Sequence, residues 1–468
     1  MTNKKFSELT VLVATVALLS ACAVGPEYQR PTSASPAAFK EAPQADAGWF
    51  PAAPADALDR GPWWELFGDA ELNKLVAQVE VSNQNVAAAV ANYAQARALV
   101  AQQRATLFPS VTADGSARRS GGNGAGATAN SFQATLGASW EADVWGALRR
   151  GVESAQASAQ ASDADLAAAR LSAQGELGLN YFSLRDADTE LGLLRATVVA
   201  YERAFTITQN RYNAGIAPRT DVLQAQTQLA NARADLSSLT NTRAQLEHAI
   251  AVLIGKAQAE FALAPADWNM AVPAVPLALP SELLQRRPDI ASAERAVAAA
   301  NANIGIQRSA YFPSLILSAS AGNAASRIGD LFNASTSLWS LGLSVAQTVF
   351  DAGATRARVA GAEAARDAAV ARYRQTVLTA FQSVEDQLSA SRTLAEQAAL
   401  RRAASEAADL TEQQLLNRYQ AGQVSYTEVV SAQASALSAR RTLAQLAASR
   451  QAAAIALIQA LGGGWHAG

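Results

Sequence analysis

One segment of this chain occurs twice, and the spacing between the copies limits every fold the chain can adopt. Asn210-Arg211-Tyr212-Asn213-Ala214-Gly215 is followed by Thr220-Asp221-Val222, Ala225-Gln226, Ala232-Arg233 and Leu236. Asn417-Arg418-Tyr419-Gln420-Ala421-Gly422 is followed by Thr427-Glu428-Val429, Ala432-Gln433, Ala439-Arg440 and Leu443. The offset is 207 (417 − 210), and 12 of the 27 paired positions are identical. Each copy reads as a helix end, a tight glycine turn and a second helix start, so two internal repeats are predicted. Leu107-Phe108-Pro109-Ser110 answers Tyr311-Phe312-Pro313-Ser314 at an offset of 204 (312 − 108). Asp143-Val144-Trp145-Gly146 answers Thr348-Val349-Phe350-Asp351 more loosely. A period of about 205 residues is too long for a solenoid of small units and reads as a duplicated domain.

The middle of each repeat changes period. Phe132, Ala134, Leu136, Ala138 and Trp140 alternate with Gln133, Thr135, Gly137 and Ser139, after Val111 and Ala113 and a Gly121–Gly124 loop. Leu315, Leu317, Ala319 and Ala321 alternate with Ser318 and Ser320, broken by Ile316, and Trp339, Leu341, Leu343 and Val345 alternate with Ser340, Gly342 and Ser344. Period two predicts two hairpins, about 109–143 and about 313–348. Strands of about ten residues with one apolar side suit a bilayer crossing. Surface hairpins on a soluble domain are the plainer reading. Four strands cannot close a barrel, which needs about eight, and open edges in lipid cost several kcal/mol per unsatisfied group. Membrane strands would therefore make the protein an obligate oligomer.

The hairpins are flanked by helical sequence. Alanine supplies much of the 50% apolar content while aromatics are only 6%, which suits slim helices more than thick cores. Residues 147–212 and 354–419 lack proline and predict two helices of roughly 100 Å. Shorter helices are predicted over 70–105, 220–254, 289–310 and 426–461 and are expected to stack end to end beside the long ones. Small and polar residues on several faces (Gln156, Ser158, Gln160, Asp163, Asp165) favour a wall wetted on both sides over a buried bundle, with a coiled-coil stalk as the alternative.

The N-terminus carries a different signal. Lys4-Lys5 precedes an apolar Val11–Leu19 run too short to cross a bilayer, closed by Leu19-Ser20-Ala21-Cys22. Cys22 is the one cysteine, so no disulfide is expected. The segment up to 62 is proline-rich, from Pro26 to Pro62, and reads as an extended arm ending at Trp63-Trp64. The division is 1–21 signal peptide, 22–62 arm, 63–265 first repeat, 266–288 linker, 289–461 second repeat and 462–468 tail. A net charge of −2 with no basic block argues against nucleic acid as a partner. His248 and His466 with the lone cysteine form no metal-ligand set, and no nucleophile–histidine pair or phosphate loop indicates an enzyme.

Several spaced motifs together resemble the TolC-like outer-membrane efflux proteins, in the lipoprotein branch serving resistance-nodulation-division pumps. They are Cys22 with Gly25-Pro26-Glu27-Tyr28 and Arg30-Pro31, Trp63-Trp64, Arg286-Arg287-Pro288-Asp289-Ile290, Ala293-Glu294, Ala300-Asn301-Ala302, Ile304-Gly305, Tyr311–Ser314 and Leu461-Gly462-Gly463-Gly464-Trp465. Leu19–Cys22 resembles a bacterial lipobox. The resemblance implies an acylated Cys22 and, since Ala23 follows it in place of aspartate, an outer-membrane location with no other cofactor. It implies an α+β membrane protein: a homotrimer sharing one 12-stranded β-barrel, four strands per chain, above a long periplasmic α-helical barrel. Its implied partners are a periplasmic adaptor and an inner-membrane pump, and its implied role is a passive exit duct. A type I protein-secretion duct is the rival within this architecture, and a structural coiled-coil lipoprotein the rival outside it.

The repeated turn would then be the periplasmic tip. Gly215 and Gly422 are expected as left-handed helix caps, with Tyr212, Tyr419, Arg211 and Arg418 as tip or adaptor-contact residues. Asp221 and Glu428 hold equivalent positions, and the resemblance implies a constriction ring at Glu428. Helix N-terminal carboxylates steadied by the macrodipole are the alternative for both. Ser431 and Val424 stand where similar proteins can carry a second ring carboxylate and a latching arginine, so any latch must use other residues, among them Tyr419, Arg418 and Arg211.

Overall fold

The computed structural model describes residues 24–33, 36, 38–41, 61–121, 128–266, 268–273, 275 and 287–463. Cys22, the signal segment, the glycines at 122–124, Arg286, Gly464, Trp465 and His466 lie outside the described residues. In chain order the elements are α1 (Ala70–Ser82), α2 (Gln84–Ala105), β1 (Ser110–Ser120), β2 (Ala129–Glu141), α3 (Ala147–Asn213) and α4 (Arg219–Leu253). Then come α5 (Pro288–Ser309), β3 (Ser314–Ala325), β4 (Ser337–Ala346), α6 (Ala354–Gln420) and α7 (Tyr426–Ala460). The series recurs with equal lengths: α2 and α5 have 22 residues each, α3 and α6 have 67, and α4 and α7 have 35.

Two expectations need correction. Residues 70–105 form two helices, not one, because Asn83 breaks the run with an extended backbone (φ −68°, ψ 124°). Its side-chain oxygen accepts from the Asn85 and Val86 N–H groups, capping α2, and its amide donates to Leu253 O at 2.8 Å. The buried contact with the end of α4 replaces the one turn of helical bonding that is lost. The second correction concerns register at the hairpin exits. Gly146 (φ 81°) corresponds to Gly353 (φ 89°), each just before a long helix, at the same offset of 207 (353 − 146) as the turns. Pairing Gly146 with Asp351 was therefore two residues out, and the first strand pair differs from the second in its loop length.

The described residues divide into two compact units. One includes those within Met1–Ser33, Ala91–Ala164 and Ser292–Gln375, and it holds the sheet. The other includes those within Ala34–Val90, Asp165–Ala291 and Thr376–Gly468. In the second unit Trp63 is buried, its ring centroid 6.3 Å from that of Phe67, which lies 5.0 Å from Phe182. Asp69 caps α1 through the Glu71 and Leu72 N–H groups and accepts from Tyr181 Oη at 2.6 Å, fixing that helix against α3.

In the first unit the strands form one antiparallel sheet of order β1-β2-β3-β4. Register sorts the side chains. Val111↔Ala138, Ala113↔Leu136 and Ala117↔Phe132 pair across β1 and β2, Leu136↔Ala321 and Trp140↔Leu317 across β2 and β3, and Leu317↔Leu343 and Ala321↔Trp339 across β3 and β4. These positions share one face. The opposite face carries Thr112, Asp114, Ser116 and Arg118 of β1, paired with Gly137, Thr135, Gln133 and Ser131. Ile316, which broke the alternation, pairs with Glu141 and Ser344 on that polar face.

Candidate functional site

One face of the sheet is apolar and exposed. Val111 is 70% exposed, Trp339 81%, Leu341 77% and Leu343 64%, all on the apolar face. A contiguous exposed patch of this kind marks contact with lipid or another chain. At one end of the sheet the aromatics are hydrogen-bonded. Trp145 donates to Pro313 O at 2.7 Å and stacks on Phe312 at 4.7 Å, and Trp140 donates to Leu107 O at 2.9 Å. Trp and Tyr that bury a ring and keep a donor satisfied suit a membrane interface. No helix among the described residues is long and apolar enough to cross a membrane.

Residues 24–33 of the arm are held in the same unit by the motifs that the sequence singled out. Val24 N–H donates to Trp145 O at 3.0 Å and Asn301 donates to Pro26 O at 3.0 Å. Tyr28 Oη donates to the buried Glu294 carboxylate. Burial, then the hydrogen bond to Glu294 and its charge, push the Tyr28 phenol well above its usual range. Gly25 passes so near α5 that a Cβ there would lie 2.5 Å from Gly305 Cα. Motifs some 270 residues apart in sequence are thus one contact, which no local pattern could show.

The repeated turns lie in the second unit and have matching hydrogen bonds. Gly215 N–H bonds Tyr212 O at 2.9 Å and Ile216 N–H bonds Arg211 O at 2.8 Å; Gly422 N–H bonds Tyr419 O at 2.9 Å and Gln423 N–H bonds Arg418 O at 2.9 Å. With φ of 70° at Gly215 and 76° at Gly422, both are Schellman caps. Arg233 pairs with Glu202 at 2.7 Å, and its counterpart Arg440 pairs with Asp409 at 2.8 Å, each across its own helical hairpin.

Of the named tip residues the structure brings Arg211 and Tyr419 together. The Arg211 guanidinium lies 5.0 Å over the Tyr419 ring, joining the first turn to the second. Tyr419 also packs at 5.5 Å on Tyr426, a residue that sequence reasoning missed, and its hydroxyl is buried without a partner. Tyr426 is buried with Val429 and Ala225, and its phenol is pushed up to about 12, first by burial and then by Tyr419, Tyr201 and Asp221. The only local hint was an aromatic directly after Ser425 at a helix start. Arg418 is exposed, and so is Tyr212 at 41%, and neither joins this cluster.

The two equivalent carboxylates differ in use. Glu428 accepts from the Ser425 N–H and from the Ser425 hydroxyl, both at 3.1 Å. Its counterpart Asp221 follows Pro218, which has no N–H to offer, so the same reciprocal cap cannot form. Beside Glu428, Thr427 donates to Gln224 at 3.1 Å, a further contact between the starts of α4 and α7.

An amphipathic four-stranded sheet, two matched helical turns and long paired helices are the features of an outer-membrane efflux protein. Residues 75–256 and 279–463 match the family model described as "Outer membrane efflux protein", and the chain belongs to that family. Among curated relatives, the toluene efflux pump outer membrane protein TtgC of Pseudomonas putida is 31% identical over 98% of this chain and 96% of its own length. The cation efflux system protein CusC of Escherichia coli O6:H1 is 30% identical over 96% of this chain and 97% of its own. The solved outer-membrane channel OprN superimposes with a TM-score of 0.83 at 32% identity, covering 95% of this chain and all (100%) of that one.

Proposed function

We propose that the chain is the outer-membrane duct of a tripartite efflux system, a passive exit for small toxic molecules delivered by an inner-membrane pump. The observation that carries this reading is a sheet that is incomplete by itself. Among the described residues β1 pairs only with β2 and β4 only with β3, so two edges remain open beside an apolar face. In lipid those edges need partners, and the available partner is another copy. Three copies of four strands close a 12-stranded barrel with the Asp114–Arg118 face lining the lumen. The long helices then continue into the periplasm as a helical barrel.

In this reading Cys22 carries the acyl anchor, and the bonds of Val24, Pro26 and Tyr28 to Trp145, Asn301 and Glu294 secure the chain that follows it. A periplasmic adaptor engages the turns at Gly215 and Gly422, where Tyr212 and Arg418 face solvent. Arg211 on Tyr419 supplies a latch between the turns, and Glu428 a ring of negative charge held in place by Ser425. A resistance-nodulation-division pump supplies selectivity and energy. Relatives named for toluene and for cations have little cargo chemistry in common, which supports a duct that does not select.

The test is energised efflux of an amphiphilic dye from cells lacking this gene and expressing its cognate pump. Restoration by the wild type, but not by Cys22→Ala or Gly422→Val, is expected. Unchanged dye efflux with loss of a secreted polypeptide would overturn the small-molecule reading in favour of protein secretion.

A further inference from the structure

The side of α3 that meets α7 carries a pair of carboxylates, Glu190 buried and Asp186 half-buried, that the duct reading does not use. Asp186 and Glu190 are four residues apart and therefore neighbours on one helix face. Glu190 is fully engaged. Its side chain is 4% exposed, one oxygen accepts from Arg441 Nε at 2.8 Å, and the other accepts from Gln445 Nε2 at 2.6 Å. Asp186 has a buried Oδ1 with no hydrogen-bond partner. The charges acting on Asp186 are Glu190 on its own helix and Arg441 on α7, and that guanidinium is already directed at Glu190. The cations beside this stretch of α3 are occupied elsewhere: Arg185 and Arg243 both bond Asp188, at 3.0 Å and 2.6 Å.

We propose that Asp186, Glu190, Arg441 and Gln445 form a pH-sensitive clasp between α3 and α7, closed while Asp186 is protonated and loosened when it ionises. With Asp186 neutral, the one guanidinium balances the one carboxylate. Ionisation adds a second negative charge at a half-buried position, which must share Arg441 or draw in water by parting the helices. Burial first, and the Glu190 charge second, raise the Asp186 carboxyl from 3.8 to about 7, while Arg441 opposes the rise. The folded chain thus binds this proton more tightly than the unfolded chain does. Its stabilising contribution is complete below the unfolded value, declines as pH rises, and is gone above the folded value near neutrality. Because α3 belongs to the first repeat and α7 to the second, the clasp joins the two, whatever the channel carries.

The experiment uses the full-length protein in detergent, with thermal midpoints and hydrogen exchange of the α3 and α7 segments, corrected for intrinsic rate, from about pH 5 to about pH 9. The wild type is expected to lose stability, and its α3–α7 amides to exchange about tenfold faster, as pH rises from about 5 to about 7, with little further change above. Asp186→Asn should keep the low-pH behaviour throughout. Glu190→Gln should move the transition to lower pH, because Arg441 is then released to Asp186, a shift that a purely structural contact would not produce. Parallel pH profiles for wild type and Asp186→Asn, or a transition that stays in place in Glu190→Gln, would overturn the clasp.

Discussion

Replacing Gly422 isolates backbone conformation from packing. At φ 76° this residue is left-handed, and a Cβ built on it meets nothing within 4 Å. Any penalty in a Gly422→Ala variant therefore comes from the backbone alone, about 1–2 kcal/mol for an L-residue in this region. Reduced freedom of the unfolded chain offsets about 0.4–1 kcal/mol of that. The net loss is about 1 kcal/mol for alanine and larger for valine, whose β-branching makes φ > 0 a true outlier. Since about 1.4 kcal/mol is a factor of ten in an opening equilibrium, Gly422→Val should raise exchange at the second turn at least tenfold. Gly422→Asn should stay near wild type, because asparagine tolerates this conformation. The assay is hydrogen exchange of residues 415–430, with oligomeric state measured in parallel and expected unchanged. A Gly422→Val turn as protected as wild type, or an asparagine variant as damaged as valine, would refute the reasoning. Gly255 provides the contrast: its φ is 67°, but a Cβ would lie 2.2 Å from Ser82 O, so alanine there should cost clearly more than at Gly422.

Two further predictions separate exposed from buried contacts. Arg440→Ala removes partners of Asp409 and Glu412 at a partly exposed site and should cost about 1 kcal/mol or less in denaturant unfolding, whereas Arg243→Ala removes one of the two guanidiniums on Asp188, 4% exposed, leaves Arg185 in place and should cost about 1.5–3 kcal/mol. Tyr28→Phe leaves the buried Glu294 carboxylate without its phenol donor and should cost about 1–3 kcal/mol locally, read as faster protease cleavage within residues 24–33.

Local chemistry explains why the turns were legible. A Schellman cap is encoded by a glycine at one position and completed by its own helix's carbonyls, so Gly215 and Gly422 declare it in sequence. Strand faces were legible for the same reason: period two is a property of the backbone, and pairing such as Leu136↔Ala321 only had to respect it. The break at Asn83 was hidden because its decisive bond goes to Leu253, 170 residues away, although Ser82-Asn83 was a usable N-cap signal. Tyr426 and the Arg211–Tyr419 contact were hidden in part for a similar reason, since the sequence placed Arg211 and Tyr419 at equivalent turns without saying that the turns touch.

Apart from the break at Asn83, the sequence by itself determined which segments are helix, strand and turn, that they recur, and which family they match. Each of these depends on backbone preferences and residue spacing, which a single chain carries in full. Tertiary structure alone decided which residues from distant segments share one environment: Tyr28 with Glu294, Arg211 with Tyr419, and Asp186 with the one guanidinium claimed by Glu190. Burial and charge balance belong to that environment, and so does the difference between Glu428, which finds an N–H on Ser425, and Asp221, which meets Pro218.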